Sequence, residues 1–171
     1  VLRRRQRQMC IRDSNNVATS GMVMSAAILV GLSRKILDLA TAYTLDRKQF
    51  GKPIGSFQAV KHMLAQAAIE IEFSKATLYR AAYSLDNDNP LQKLHAAQAK
   101  LQAIDACEMA SRNSMQAHGA MGYTWEMDLH IFIRRGWSYK QVWGNKSLLE
   151  NYIMNQLEKD LPKLGSTYTF L

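Results

Sequence analysis

Asp46-Arg47-Lys48-Gln49-Phe50-Gly51-Lys52-Pro53-Ile54-Gly55-Ser56-Phe57-Gln58 interrupts two long stretches in which apolar residues recur every three or four positions. This break decides how the chain is read. A period of three to four marks helices on either side, and Gly51, Pro53 and Gly55 mark the place where one helix must stop and another start. A bare connection needs only the glycine and the proline. Arg47, Gln49, Phe50 and Gln58 are surplus to it: a cation, an aromatic ring and two amides, suited to a planar, phosphorylated partner.

Upstream, Val17, Met24, Ile28, Leu32, Ile36, Leu39 and Tyr43 form a sustained stripe that predicts a helix from about Asn16 to Asp46. Downstream, Ser56 is read as an N-cap, and Phe57, Val60, Leu64, Ala67, Ile71 and Leu78 predict a second helix. Asp86-Asn87-Asp88-Asn89-Pro90 is a turn whose proline suits the start of a third helix over about Leu91 to Ala117. That helix is rich in alanine, and small residues permit close helix contact. Gly119-Ala120-Met121-Gly122 stops it. A fourth region follows in two pieces, about Glu126 to Tyr139 and Lys146 to Leu161, divided around Gly144-Asn145.

Long helices joined by short breaks pack antiparallel, so the expected fold is all-α, an up-down-up-down four-helix bundle over residues 15–161. No stretch shows β-type alternation, and there is no internal repeat. Residues 162–171, with Gly165, Ser166 and Thr167, are expected to be irregular. At 171 residues and 47% apolar the chain suits one core, as a single domain or as a piece of a longer protein.

The net charge of +8 does not point to nucleic acid. Five of the 22 cations (Arg3, Arg4, Arg5, Arg7 and Arg12) lie in the first twelve residues, and the remaining 17 face 14 acids on an ordinary mixed surface. Residues 1–14 have no signal-type apolar run, resemble translated sequencing-adapter read-through, and are read as a non-native or disordered leader with natural chain expected upstream. Cys10 and Cys107 lack metal-type spacing, so free thiols in a reducing, bacterial cytoplasm are expected. His62, His95, His118 and His130 form no metal pattern. No uninterrupted apolar run approaches about 18 residues, so no membrane span is expected.

A second break, Gln116-Ala117-His118-Gly119-Ala120-Met121-Gly122-Tyr123-Thr124-Trp125-Glu126, narrows the reading. Taken with Arg47-Lys48-Gln49-Phe50-Gly51-Lys52-Pro53 and Phe57-Gln58-Ala59-Val60, it closely resembles the C-terminal helical domain of acyl-CoA dehydrogenases, from about Asn16 to Leu157. In that family the bundle forms the core of a tetramer and reaches a neighbouring subunit's FAD. The resemblance implies that Arg47 pairs with the FAD pyrophosphate, a task for a forked, permanent cation. It places Phe50 beside the dinucleotide, and Gln49 and Gln58 among its polar contacts. Gln116 falls at the adenosine side, and Gly119-Ala120 in a turn where small residues let backbone approach the cofactor. Ala120 stands where the family often has a second glycine.

The resemblance also implies a reaction, the α,β-dehydrogenation of acyl-CoA thioesters in fatty acid β-oxidation, with electron-transfer flavoprotein as acceptor. A glutamate removes the α-proton while the β-hydrogen leaves as hydride. That acid commonly lies about 27 residues after the motif glutamine, where this chain has Trp143, or 26 residues before the motif arginine, where it has Gly21. An indole cannot act as a general base at neutral pH, and glycine has no side chain. Glu126, Asp128 and His130 are weak substitutes, so no catalytic residue is assigned. Gly122-Tyr123-Thr124-Trp125-Glu126 through Leu129-His130 to Arg134-Arg135 is similar to a subgroup often encoded beside a second such subunit. Two alternatives therefore stand: a non-catalytic partner subunit of a homo- or hetero-tetramer, and a flavin monooxygenase of the same fold.

Overall fold

The structure, a computed structural model, describes the backbone of residues 2–159 and the side chains of 13–158. The tail expected to be irregular lies outside the described residues. The described residues form five α-helices: α1 Leu2–Asp46, α2 Gln58–Asp86, α3 Gln92–His118, α4 Leu129–Tyr139 and α5 Lys146–Lys159. Helix α1 starts upstream of Asn16, since nothing between Leu2 and Asn15 is a glycine or a proline that would stop it.

Cross-helix contacts fix the topology. Ser25 meets Lys100 and Ile36 meets Ser114, so α1 and α3 run parallel. Met63 meets Asn113, Glu70 meets Gln102 and Ser84 meets His95, so α2 runs antiparallel to α3. Lys146 pairs with Asp105 and Lys93 lies over the Tyr152 ring, so α5 also opposes α3. Helices α4 and α5 share the fourth column, which makes the fold the expected up-down-up-down bundle. The ends of α1 and α3 and the starts of α2 and α4 consequently lie at one end of it.

The core is built around α3, whose Ala96, Ala97, Ala99, Ala103, Ala106 and Ala110 are fully buried and bring neighbouring backbones close. Toward the far end Met22, Val23, Ala26, Leu29 and Val30 pack with Ala81, Ile104 and Leu149. Toward the near end Ile36, Leu37, Ala67 and Ile71 pack with Leu129 and Ile133. The stripe expected on α1 is corrected here: Val17, Met24 and Ile28 are exposed, and of that stripe only Ile36 is a fully buried core residue. Helix α1 is apolar on most sides, so period alone does not choose its inner face. One window of α1 has mean hydropathy 1.5, enough to cross a membrane by length and composition, but half of it is buried inside the bundle, as in a core helix.

Three local expectations change. Residues 48–53 form a small antiparallel hairpin, β1 Lys48–Gln49 with β2 Lys52–Pro53, in which Lys48 faces Pro53 and Gln49 faces Lys52. Phe50 (φ 53°) and Gly51 (φ 78°) make its two-residue turn, both left-handed as a tight hairpin requires. Strands of two residues are too short to show alternation in sequence. Ser56 does not cap α2: it ends a 3₁₀ turn, Ile54–Ser56, and its Oγ donates to the Pro53 carbonyl at 2.7 Å, while Phe57 occupies the cap position. Pro90 precedes the cap residue Leu91 rather than opening α3.

Lys100 is fully buried with no carboxylate partner among the described residues, and its Nζ donates to Ser25 Oγ (2.9 Å) and the Tyr139 carbonyl (2.5 Å). Burial lowers its pKa from 10.5 to about 8. Between those values the unfolded chain binds more protons, so stability is expected to rise with pH from about 8 toward 10.5, by roughly 1–3 kcal/mol. Urea unfolding across that range measures the slope, and Lys100→Met should flatten it.

Candidate functional site

The first arm of the site is the hairpin that follows α1. The Arg47 backbone is held on both sides: its N–H donates to the Tyr43 carbonyl (2.9 Å) and its carbonyl accepts from Ile54 N–H (2.8 Å). The guanidinium is left on the surface with no ion pair among the described residues. Gln49 and Gln58 are also exposed, one in β1 and the other in the first turn of α2. Phe50 at the hairpin tip is 91% exposed, which excludes a role as a core anchor. Its ring meets Phe57 edge-on, with centroids 6.2 Å apart, and Lys52 Nζ sits 4.5 Å from the Phe57 centroid. A phenylalanine held outward beside a cluster of Arg47, Lys48 and Lys52 suits a surface that something flat and anionic covers.

The second arm is the end of α3. Gln116 is exposed, and it also lines a cleft of about 510 Å³ between α3 and α4, together with Arg112, Tyr123 and Trp137. Gly119 terminates the helix at φ 59°, a left-handed conformation that glycine adopts without strain. No atom lies within 4 Å of the position its Cβ would take, so backbone faces open space there. Ala120 is exposed beside it. Gly122 serves packing instead, since a Cβ there would stand 2.7 Å from Met115 Sδ.

Two residues that sequence reasoning did not single out join the arms. Tyr43, one turn before Arg47, stacks on His118, one residue before Gly119, with ring centroids 4.3 Å apart and planes 17° from parallel. His118 is buried, and its Nδ1 lies 2.8 Å from the Ser114 carbonyl, to which only an N–H can bond. The only signal in the sequence was the presence of these rings one turn and one residue from the motifs.

The two positions where a base was sought also meet. Gly21, buried in α1, carries the indole of Trp143 directly on its backbone: a Cβ at Gly21 would stand 2.5 Å from indole Cδ2 and Cε2. Trp143 itself is left-handed at φ 61°, in the turn between α4 and α5, followed by Gly144 at φ 118°. Acids on the adjoining stretch of α3 are occupied, Glu108 by Lys140 (2.9 Å) and Asp105 by Lys146 (2.5 Å), the latter bond raising the Lys146 pKa. Glu126 and Asp128 are exposed in the turn before α4. His130 is half-buried, with Nδ1 2.8 Å from the Met127 carbonyl and its ring against Trp125 at 4.7 Å, a structural placement.

With both arms and the Gly21–Trp143 contact located, comparison with known proteins identifies the domain. Residues 15–158 match the family description "Acyl-CoA dehydrogenase, C-terminal domain". The chain belongs to the acyl-CoA dehydrogenase family. It is 32% identical over 147 residues to acyl-CoA dehydrogenase IpdE2 of Mycobacterium tuberculosis, covering 85% of this chain and 42% of that protein. Among solved structures, a glutaryl-coenzyme A dehydrogenase in complex with glutaryl-CoA superposes with a TM-score of 0.79 at 32% identity, covering 87% of this chain and 38% of the other. A steroid acyl-CoA dehydrogenase variant described as Tcur3481-Tcur3483 superposes with a TM-score of 0.76 at 26% identity, over 81% and 38%. The chain thus spans less than half the length of the curated relatives it matches.

Proposed function

We propose that this chain is the C-terminal part of an FAD-linked acyl-CoA dehydrogenase-like subunit, and that its hairpin and 116–120 turn form one arm of an FAD site shared within a tetramer. The observation that carries this reading is the Tyr43–His118 stack, which ties two motifs about 70 residues apart to one end of the bundle. The donor set fits a dinucleotide: an exposed guanidinium with no ion pair among the described residues and an immobilised backbone, an outward aromatic ring, exposed amides and a glycine turn facing open space. Arg47 would neutralise the diphosphate, Phe50 cover the dinucleotide, and Gln49, Gln58 and Gln116 bond its polar groups. Backbone at Gly119 and Ala120 would approach it closely. FAD, when bound, supplies the acceptor for the hydride leaving an acyl-CoA.

A second reading concerns the proton. Because indole carbon occupies the space beside Gly21, neither position offers a carboxylate, and this favours a subunit that completes a site while a related partner supplies the base. The full-length subunit, purified alone and with the product of its neighbouring gene, is expected to show flavin absorbance, bleached by acyl-CoA only in the co-purified assembly. Electron-transfer flavoprotein should then reoxidise it. Assemblies without flavin would sink the main reading. Bleaching by the subunit alone would sink the second, and oxygen consumption without acyl-CoA would point to a monooxygenase.

A further inference from the structure

We propose that His118 is the positioning residue that sets the spacing between the two arms, acting through its stack on Tyr43. This rests on the reading of the arms as a dinucleotide site.

The argument begins with what each ring holds. The Tyr43 carbonyl accepts the Arg47 N–H, and the Arg47 carbonyl in turn accepts the Ile54 N–H, so Tyr43 stands at the root of the hairpin. His118 stands at the root of the other arm, immediately before the left-handed Gly119. Its ring cannot swing freely. Nδ1–H donates to Ser114 O, Tyr43 covers one face, and the His118 Cβ packs beside Gly122, 3.1 Å from where a Cβ there would be, behind the nearer Met115 Sδ at 2.7 Å. The bond to Ser114 places a hydrogen on Nδ1. Among the described residues Nε2 is the buried side-chain polar atom that finds no hydrogen-bond partner. Burying it unpaired is unfavourable, so what the ring supplies here is its flat face toward Tyr43 and not its second nitrogen. Nε2 is also closed off from solvent, so the ring acts on a ligand through the arms and not by touching it.

The test is a double-mutant cycle on FAD affinity in the full-length assembly, read by flavin fluorescence well below the unfolding transition. His118→Ala is expected to weaken FAD at least tenfold and to alter the visible circular dichroism of the flavin that remains bound. His118→Phe, which keeps a flat ring for Tyr43 and removes the unpaired nitrogen, should stay within about threefold of the parent and be at least as stable. Arg47→Ala with His118→Ala together should lose little more than the stronger single change, because the histidine acts through the arginine's placement. Should His118→Ala not fold, Tyr43→Leu removes the stack from the other side, with the same expectation. Unchanged affinity in the alanine variant (or in Tyr43→Leu if that stands in for it), equal losses for phenylalanine and alanine, or losses that simply multiply with Arg47→Ala would each overturn the proposal. If Arg47→Ala alone leaves FAD binding unchanged, the dinucleotide reading fails, and this inference with it.

Discussion

Arg47→Ala in the flavin-bearing assembly is expected to weaken FAD binding roughly ten- to a hundredfold, on the order of 1.5–3 kcal/mol. The size follows from the kind of contact. A guanidinium bonded to a diphosphate is charge-assisted and bidentate, and enclosure between subunits would keep water from replacing it. The structure adds a reason for the loss to be clean. Arg47 contributes to the fold through its backbone N–H and carbonyl, which alanine retains, and its side chain is exposed with no ion pair among the described residues. The variant should therefore unfold at the parent's denaturant midpoint. Arg47→Lys should recover only part of the affinity, since a point charge cannot reproduce the fork. Equal FAD retention by parent and Arg47→Ala, measured by dialysis and flavin absorbance, would remove Arg47 from the site.

The bundle was legible in the sequence because breakers and helical periods agree: Gly119, Gly144-Asn145 and the 86–90 cluster all fall at helix ends. The inner face of α1 was not legible, since a helix with Met22, Val23, Leu29 and Val30 inside and Val17, Met24 and Ile28 outside offers no polar contrast to orient it. The hairpin was hidden for another reason. Its turn places Phe50, a residue that disfavours left-handed backbone, where asparagine or glycine would have announced it. At the candidate site, the motif residues stand out in the sequence because they are surface groups whose chemistry exceeds what a connection needs. His118 and Tyr43 do not, because a buried ring looks like core until its partner is known. The Gly21–Trp143 contact spans 122 residues, and no local pattern encodes it.

That contact yields a prediction whose sign depends on its partner. Alanine for glycine inside a helix ordinarily stabilises by roughly 0.5–1 kcal/mol. At Gly21 the added methyl would stand 2.5 Å from the indole, with Cγ at 2.8 Å, so the stem of the ring and not merely its far edge must move. Displacing a tryptophan in a left-handed turn should cost about 1–3 kcal/mol, the range for overpacking, and Gly21→Ala is expected to destabilise the chain on balance. Trp143→Ala removes the obstacle, and in that background Gly21→Ala should stabilise by about the ordinary helical amount. The cycle predicts a coupling of about 1–3 kcal/mol, the displacement cost itself, between residues far apart in sequence, measured by urea unfolding of the four chains. The same sign in both backgrounds would show that the indole does not rest on Gly21. If the coupling is found, the consequence for chemistry is direct. A glutamate cannot enter at position 21 while Trp143 stays, so Gly21→Glu should be strongly destabilising alone and tolerated with Trp143→Ala. The tryptophan then does more than fail as a base: it holds shut the other place from which a carboxylate could act.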